Sequence, residues 1–232
     1  MTKHPEYHAV LGQGGIRDVI LGANDGFVSI LGLVTGVATG TSESGIVVLA
    51  GVVGAVAAAI SMALGNYISV KSQIEVYTAQ IEQEKKEMKE MPDVERLEVR
   101  EIYQQKGFRG KQLDAIVKHL TKDKKRWLNV MLQEELGIRP NDLGHPVQSG
   151  VVTGVAFSAA AAFPILPYVF LPVGAALWTS VAATLLAVFA TGAIKSNLTK
   201  RSWWISGLEM ALIAGIAAAI GFFAGELVHA AG

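Results

Sequence analysis

The chain has no cysteine among its 232 residues. That removes disulfide frameworks, thiolate zinc sites and cysteine nucleophiles together, and leaves any metal site to Asp, Glu, His, Met or backbone oxygen. Charge is scarce too, at 17% of residues, against roughly 25% in ordinary soluble domains. The 20 basic and 20 acidic residues cancel, so the basic footprint of a nucleic-acid-binding protein is absent and that role is excluded. Aromatic residues make up only 7%. Small and aliphatic residues fill the chain instead: 51% is hydrophobic and the mean hydropathy is +0.38. These values predict an all-α, polytopic membrane protein.

The few charges are unevenly spread. Lys71 to Asp142 holds 15 basic and 14 acidic residues, while Leu143 to Ile194 holds no Asp, Glu, Lys or Arg at all. The bare run far exceeds the roughly 20 residues that one helix needs to cross a hydrocarbon core of about 30 Å. It is read as two spans, near 147–166 and 172–194, broken by the proline cluster Phe163-Pro164-Ile165-Leu166-Pro167 with Pro172 after it. Asp18 to Gly40, Gly45 to Val70, and Trp203 to Val228 with its Trp203-Trp204 anchor supply three more. Residues 1–70 are therefore expected to hold an N-terminal segment and spans 1 and 2, residues 71–142 a helical domain, and residues 143–232 spans 3 to 5.

Every Lys and Arg falls on one side of this scheme: Lys3 and Arg17 before span 1, fifteen between spans 2 and 3, and Lys195, Lys200 and Arg201 between spans 4 and 5. The positive-inside rule then places the N-terminus and the charged insert in the cytosol and the C-terminus on the far side. The first apolar stretch is too long for a signal-peptide core and carries Asn24 and Asp25, so it is read as a retained span. Four-residue glycine spacing at Gly32, Gly36 and Gly40, at Gly150 and Gly154, and at Gly221 and Gly225 allows close helix approach, either within the bundle or at a dimer face.

Span 2 runs without a breaker into Lys71–Met91, which predicts one continuous helix stopped by Pro92. A second helix is expected from Pro92 to Gln105, ended by Gly107 and Gly110, with two more near 111–120 and 122–136. Glu84 and Glu87 share one face of the first helix, and Glu95 and Glu98 one face of the second. Packed antiparallel, the two faces converge four carboxylates, which is how helical bundles hold Fe²⁺ or Mn²⁺. Met131 and Glu135, one turn apart, offer a thioether beside a carboxylate. The competing reading is a solvated Glu/Lys surface with pairs such as Glu82–Lys86, and core packing for Met131. His4 and His8 share a helical spacing, but Pro5 interrupts it.

Asp25 lies roughly 12 Å into span 1 at about 1.5 Å per residue. A carboxylate there costs on the order of 3 kcal/mol on insertion scales, and so marks a functional position. Asn24, Asp25 and Gly26 form a polar notch, and span 2 sets Met62 and Asn66 on one face. Oxygen and sulfur ligands on adjacent helices would make a cation relay. The alternative is a protonated Asp25 hydrogen-bonded to a neighbouring helix.

Arg17-Asp18-Val19-Ile20-Leu21-Gly22-Ala23-Asn24-Asp25-Gly26, Ser61-Met62-Ala63-Leu64-Gly65 with Ser69-Val70, and Ser206-Gly207-Leu208-Glu209-Met210 resemble the vacuolar iron transporter family. The resemblance covers essentially the whole chain. It implies a five-span homodimer in the lipid bilayer, with a cytoplasmic helical metal-binding domain, that exports Fe²⁺, or related ions such as Mn²⁺ or Zn²⁺, from the cytosol in exchange for protons. The family's pathway would lie at the dimer interface, with Asp25 and Met62 as its ligands. Glu84, Glu87, Glu95, Glu98, Met131 and Glu135 would form the capture site, with no catalytic cofactor. The membrane would be vacuolar in a eukaryote and the plasma membrane in a prokaryote. Two positions depart from the family pattern. Gly65-Asn66 replaces the usual Gly-Glu, putting a neutral amide where a carboxylate could take a cation or proton, and Met131-Leu132 replaces the frequent methionine pair.

Two other classes stay open at this level. One is a di-iron ferroxidase, although its usual Glu-x-x-His pair is missing from the insert. The other is a membrane-anchored metal buffer or sensor.

Overall fold

The computed structural model describes residues 13–138 and 144–231. The His4/His8 pair and the expected boundary at 142/143 lie outside the described residues. Among the described residues every regular element is a helix: α1 (Gln13–Gly40), α2 (Ser44–Glu90), α3 (Pro92–Gln105), α4 (Gly110–Leu120), α5 (Lys124–Glu134), α6 (Pro146–Phe170), α7 (Val173–Thr199) and α8 (Trp203–Ala231). Five of these, α1, α2, α6, α7 and α8, are long and apolar enough to cross a membrane. The chain divides into two compact units, Met1–Tyr67 with Pro146–Gly232, and Ile68–His145. Helix α2 has 47 residues and so runs for about 70 Å. That is more than twice one hydrocarbon core, and its C-terminal half belongs to the second unit.

The first unit is held by small residues that let backbones touch. A Cβ on Gly22 would collide with the Thr153 carbonyl of α6, and one on Gly225 with Thr39 and the Gly36 carbonyl of α1. Gly32 and Gly36 face Ala217 and Gly221, while Gly150 and Gly154 lie against Ala59 and Ala63 of α2. The glycine stripes in α1, α6 and α8 thus serve packing within the chain, with Gly40 left clear of any neighbour. Gly225→Val is expected to drive α8 off α1 and to cost on the order of 3 kcal/mol. A large drop in monodisperse protein in size-exclusion chromatography, with a lower melting temperature, checks this.

The expected break at Pro164 and Pro167 is corrected by the structure. Helix α6 continues through both prolines to Phe170, and the turn falls at Leu171 and Pro172. A proline removes one helical N–H, and buried surroundings can meet the backbone groups near it from another helix. Here the Ser180 hydroxyl of α7 donates to the Pro164 carbonyl at 2.7 Å, and both residues are buried. Pro172, extended, then opens α7.

In the second unit the chain reverses at Met91, whose non-helical backbone precedes Pro92 at the first position of α3. Gly107, at φ +100°, takes the left-handed conformation that turns the chain out of α3. The Asp123 carboxylate accepts from the Arg126 amide to cap α5. Val99, Trp127 and Met131 form the core, with Met88, Tyr103, Val117, Leu120 and Val130 packed on it.

Candidate metal site

The reversal at Met91 brings Glu84 near the end of α2 back against Glu95 in the first turn of α3, and Glu135 joins them from the end of α5. Each offers a carboxylate oxygen, and the three oxygens lie within 4.8 Å of one another. An ion bonding oxygen at about 2.1 Å sets opposed ligands about 4.2 Å apart, so small side-chain adjustments close the trio on one divalent ion. Glu84 and Glu95 are each only 3% exposed, and Glu135 is open to solvent.

Buried carboxylates without compensation are costly. The described basic residues of this unit do not supply any. Lys71 pairs with Glu75, Lys85 with Glu82, Arg96 with Asp93, Arg100 with Asp114 and Lys106 with Glu134. Among the described residues no cation pairs with Glu84, Glu95 or Glu135. One oxygen each of Glu84 and Glu95 is also buried with no hydrogen-bond partner.

The proton affinity of the trio shows the same imbalance. Burial, then the hydrogen bond to Glu95 and the charges of Glu95, Glu135 and Glu87, push the Glu84 carboxyl up to about 8. Glu95 rises chiefly through burial, opposed by its hydrogen bond with Glu84. Glu135 is raised by burial and by the charges of Glu98, Glu95 and Glu87. A divalent cation would bridge all three and offset two of their charges, and oxygen donors suit Fe²⁺ and Mn²⁺.

Sequence spacing converged the faces Glu84/Glu87 and Glu95/Glu98, and the resemblance added Glu135. The structure sets Glu84, Glu95 and Glu135 at the centre. Glu87 and Glu98 stand half-buried beside them, Glu87 accepting from Gln83 at 3.0 Å, and are felt through their charge. Met131 is fully buried against Val99 and Trp127, one turn before Glu135.

In the membrane-length helices, Asp25 is half-buried on α1. Its carbonyl accepts from Ser29, while its carboxylate has no hydrogen bond or ion pair among the described residues. The alternative of a carboxyl bonded to a neighbouring helix is therefore not what is observed. Met62 packs on the core cluster of Ile30, Val34 and Phe157. Glu209 pairs with Arg201 at 3.7 Å.

Sequence reading missed the role of Asp18. It is buried on α1 and accepts from Asn66, which also reaches Ser149 and Thr153 of α6. The available signal was the seven-residue step from Asp18 to Asp25, which puts two acids on one face of α1.

The sequence model of the VIT family matches residues 16–226. The chain belongs to the VIT family. A vacuolar iron transporter of Centaurea cyanus is 33% identical over 223 residues, covering 96% of this chain and 91% of its own length. Vacuolar iron transporter 1 of Eucalyptus grandis is 34% identical, with 96% and 89% covered. The Arabidopsis thaliana protein of the same name is 33% identical, with 99% and 92% covered. The VIT match spans all five membrane-length helices and the carboxylate trio alike, so the fold expected from the resemblance is the fold observed.

Proposed function

We propose that this VIT-family chain carries divalent metal, Fe²⁺ and also Mn²⁺, out of the cytosol across a membrane, and that it is a transporter rather than an enzyme. The observation that carries the reading is the uncompensated trio Glu84, Glu95 and Glu135 in a chain with five membrane-length helices. The relatives named vacuolar iron transporter support the direction of that reading. The trio, assisted by Glu87, Glu98 and the neighbouring Met131, captures the ion in a cytoplasmic domain spanning residues 71–142. Asp25 and Met62 then take it through the unit formed by residues 1–70 and 143–232, along a path at the interface of a homodimer. Exchange for protons releases it, because a proton arriving at Asp25 removes the charge that holds the metal. The one-sided distribution of Lys and Arg places the N-terminus and residues 71–142 in the cytosol and the C-terminus opposite. The membrane is vacuolar in a eukaryotic host and the plasma membrane in a prokaryotic one.

Uptake of Fe²⁺ and Mn²⁺ into proteoliposomes, with and without a pH gradient, tests this. The expected result is flux that rises with an opposing proton gradient and consumes no oxygen. Metal binding without flux would make the protein a buffer or sensor, and oxygen uptake on adding Fe²⁺ would make it a ferroxidase.

A further inference from the structure

Asp18 is a buried acidic side chain. It is 3% exposed, and among the described residues it joins no ion pair. A carboxylate so placed needs a strong donor, and Asn66 of α2 supplies it: Asn66 Nδ2 donates to Asp18 Oδ1 at 3.0 Å. The same nitrogen lies 3.2 Å from the Ser149 carbonyl and 2.7 Å from Thr153 Oγ1. Thr153 spends its own hydroxyl proton on Ser149, at 2.9 Å, and so turns a lone pair toward the amide.

Three oxygens from α1 and α6 thus converge on one nitrogen that carries only two hydrogens. That is the coordination pattern of a bound cation, with an amide in the cation's place. We infer that Asn66 serves as the protein's own stand-in for a cation, its amide nitrogen filling an oxygen-lined site between α1, α2 and α6, so that the transported metal is not held there.

The dimensions agree. Separations of 2.7 to 3.2 Å suit N–H donors and exceed the roughly 2.0–2.6 Å at which oxygen binds Mg²⁺ or Ca²⁺. The helices cannot spread to make room for a hydrated ion without breaking close backbone contacts. Gly22 lies on the Thr153 carbonyl, and Gly150 has the Ala63 carbonyl 2.7 Å from where a Cβ would sit. The site is also one turn from Met62 on α2 and two turns from Asp25 on α1. A second anionic stop so near would hold the ion that Asp25 and Met62 are to pass on. An amide offers Asp18 an N–H donor without taking up anything, whereas an acid in its place would need a proton or a metal to do so.

The inference rests on the transport reading for its purpose, but its test reads metal count and thermal stability rather than flux, so the two fail separately. The full chain is purified in detergent in a Glu84→Gln, Glu95→Gln, Glu135→Gln background, which removes the carboxylate trio and keeps Asp25 and Met62. In that background Asn66→Asp is expected to gain one Mn²⁺ per chain over the background, counted by EPR, and a melting temperature that rises further with added Mn²⁺ than the background's does. The background alone shows neither gain. Asn66→Ala, which leaves Asp18 buried and unpaired, is expected to lower the melting temperature by about 10 °C, and Thr153→Val by less. A folded Asn66→Asp chain that binds no more Mn²⁺ than the background overturns the inference, as does one that folds neither with nor without Mn²⁺. So does an Asn66→Ala chain that melts with its background.

Discussion

Asp25→Asn is expected to abolish metal flux in proteoliposomes while leaving Mn²⁺ binding by the soluble-facing trio unchanged. The substitution keeps shape and removes charge. In a hydrocarbon setting the carboxylate itself costs on the order of 3 kcal/mol, so the amide inserts at least as well and lost flux is not lost protein. Among the described residues the Asp25 carboxylate has no hydrogen bond or ion pair, and Ser29 donates to the backbone carbonyl. What disappears is the one anionic oxygen pair available there to a dehydrated ion. Flux should fall by at least about a hundredfold, beyond the 10–100-fold typical of changes one shell removed from a metal. Glu84→Gln with Glu95→Gln should behave differently, weakening flux at low metal and sparing it at high metal, because capture and passage are separate steps. Flux that survives Asp25→Asn would take Asp25 out of the mechanism.

The contrast between these two sites also shows how much the sequence could disclose. Long apolar runs fix helix number by length alone, so the five spans were legible, and Pro92, Gly107 and Gly110 marked the corners of the insert. The prolines of α6 misled because a breaker rule leaves out tertiary packing: Pro164 is buried, and Ser180 on another helix donates to its carbonyl. Helical spacing put Glu84 and Glu95 on two faces expected to converge, and the resemblance rather than spacing added Glu135. Glu135 joins through the α3–α5 packing, a long-range contact that no local period encodes. Asn66 was visible as a departure from the family pattern, yet its meaning lies in Asp18, Ser149 and Thr153, residues 48, 83 and 87 positions away. Met131 alone read as core rather than ligand and became a ligand candidate through the resemblance, and it is packed in the core one turn from Glu135.

The carboxylate trio carries a second large expectation, in pH. Metal-free Glu84 holds its proton up to about pH 8, and Mn²⁺ must displace that proton to bind. Mn²⁺ affinity should therefore climb close to tenfold per pH unit below 8, roughly a hundredfold from pH 6 to 8, and then level off. The stability of the metal-free protein should move the opposite way. The folded-state carboxyl titrates near 8 rather than at its usual 4.5, so across that window the folded state binds more protons than the unfolded one, and stability falls as pH rises. Glu95 and Glu135, raised in the same direction, add to the fall. Bound Mn²⁺ cancels it, since the occupied carboxylates, like those of the unfolded chain, hold no proton to lose. Melting temperatures measured from pH 5 to 8 should decline without metal and stay nearly level with saturating Mn²⁺, and titration calorimetry should show proton release on binding. Glu84→Gln should flatten both the metal-free decline and the pH dependence of affinity, because an amide has no proton to lose. A wild-type affinity that is flat between pH 6 and 8 would mean that Glu84 is already ionised in the empty site, and the trio would then be an ordinary solvated acidic surface.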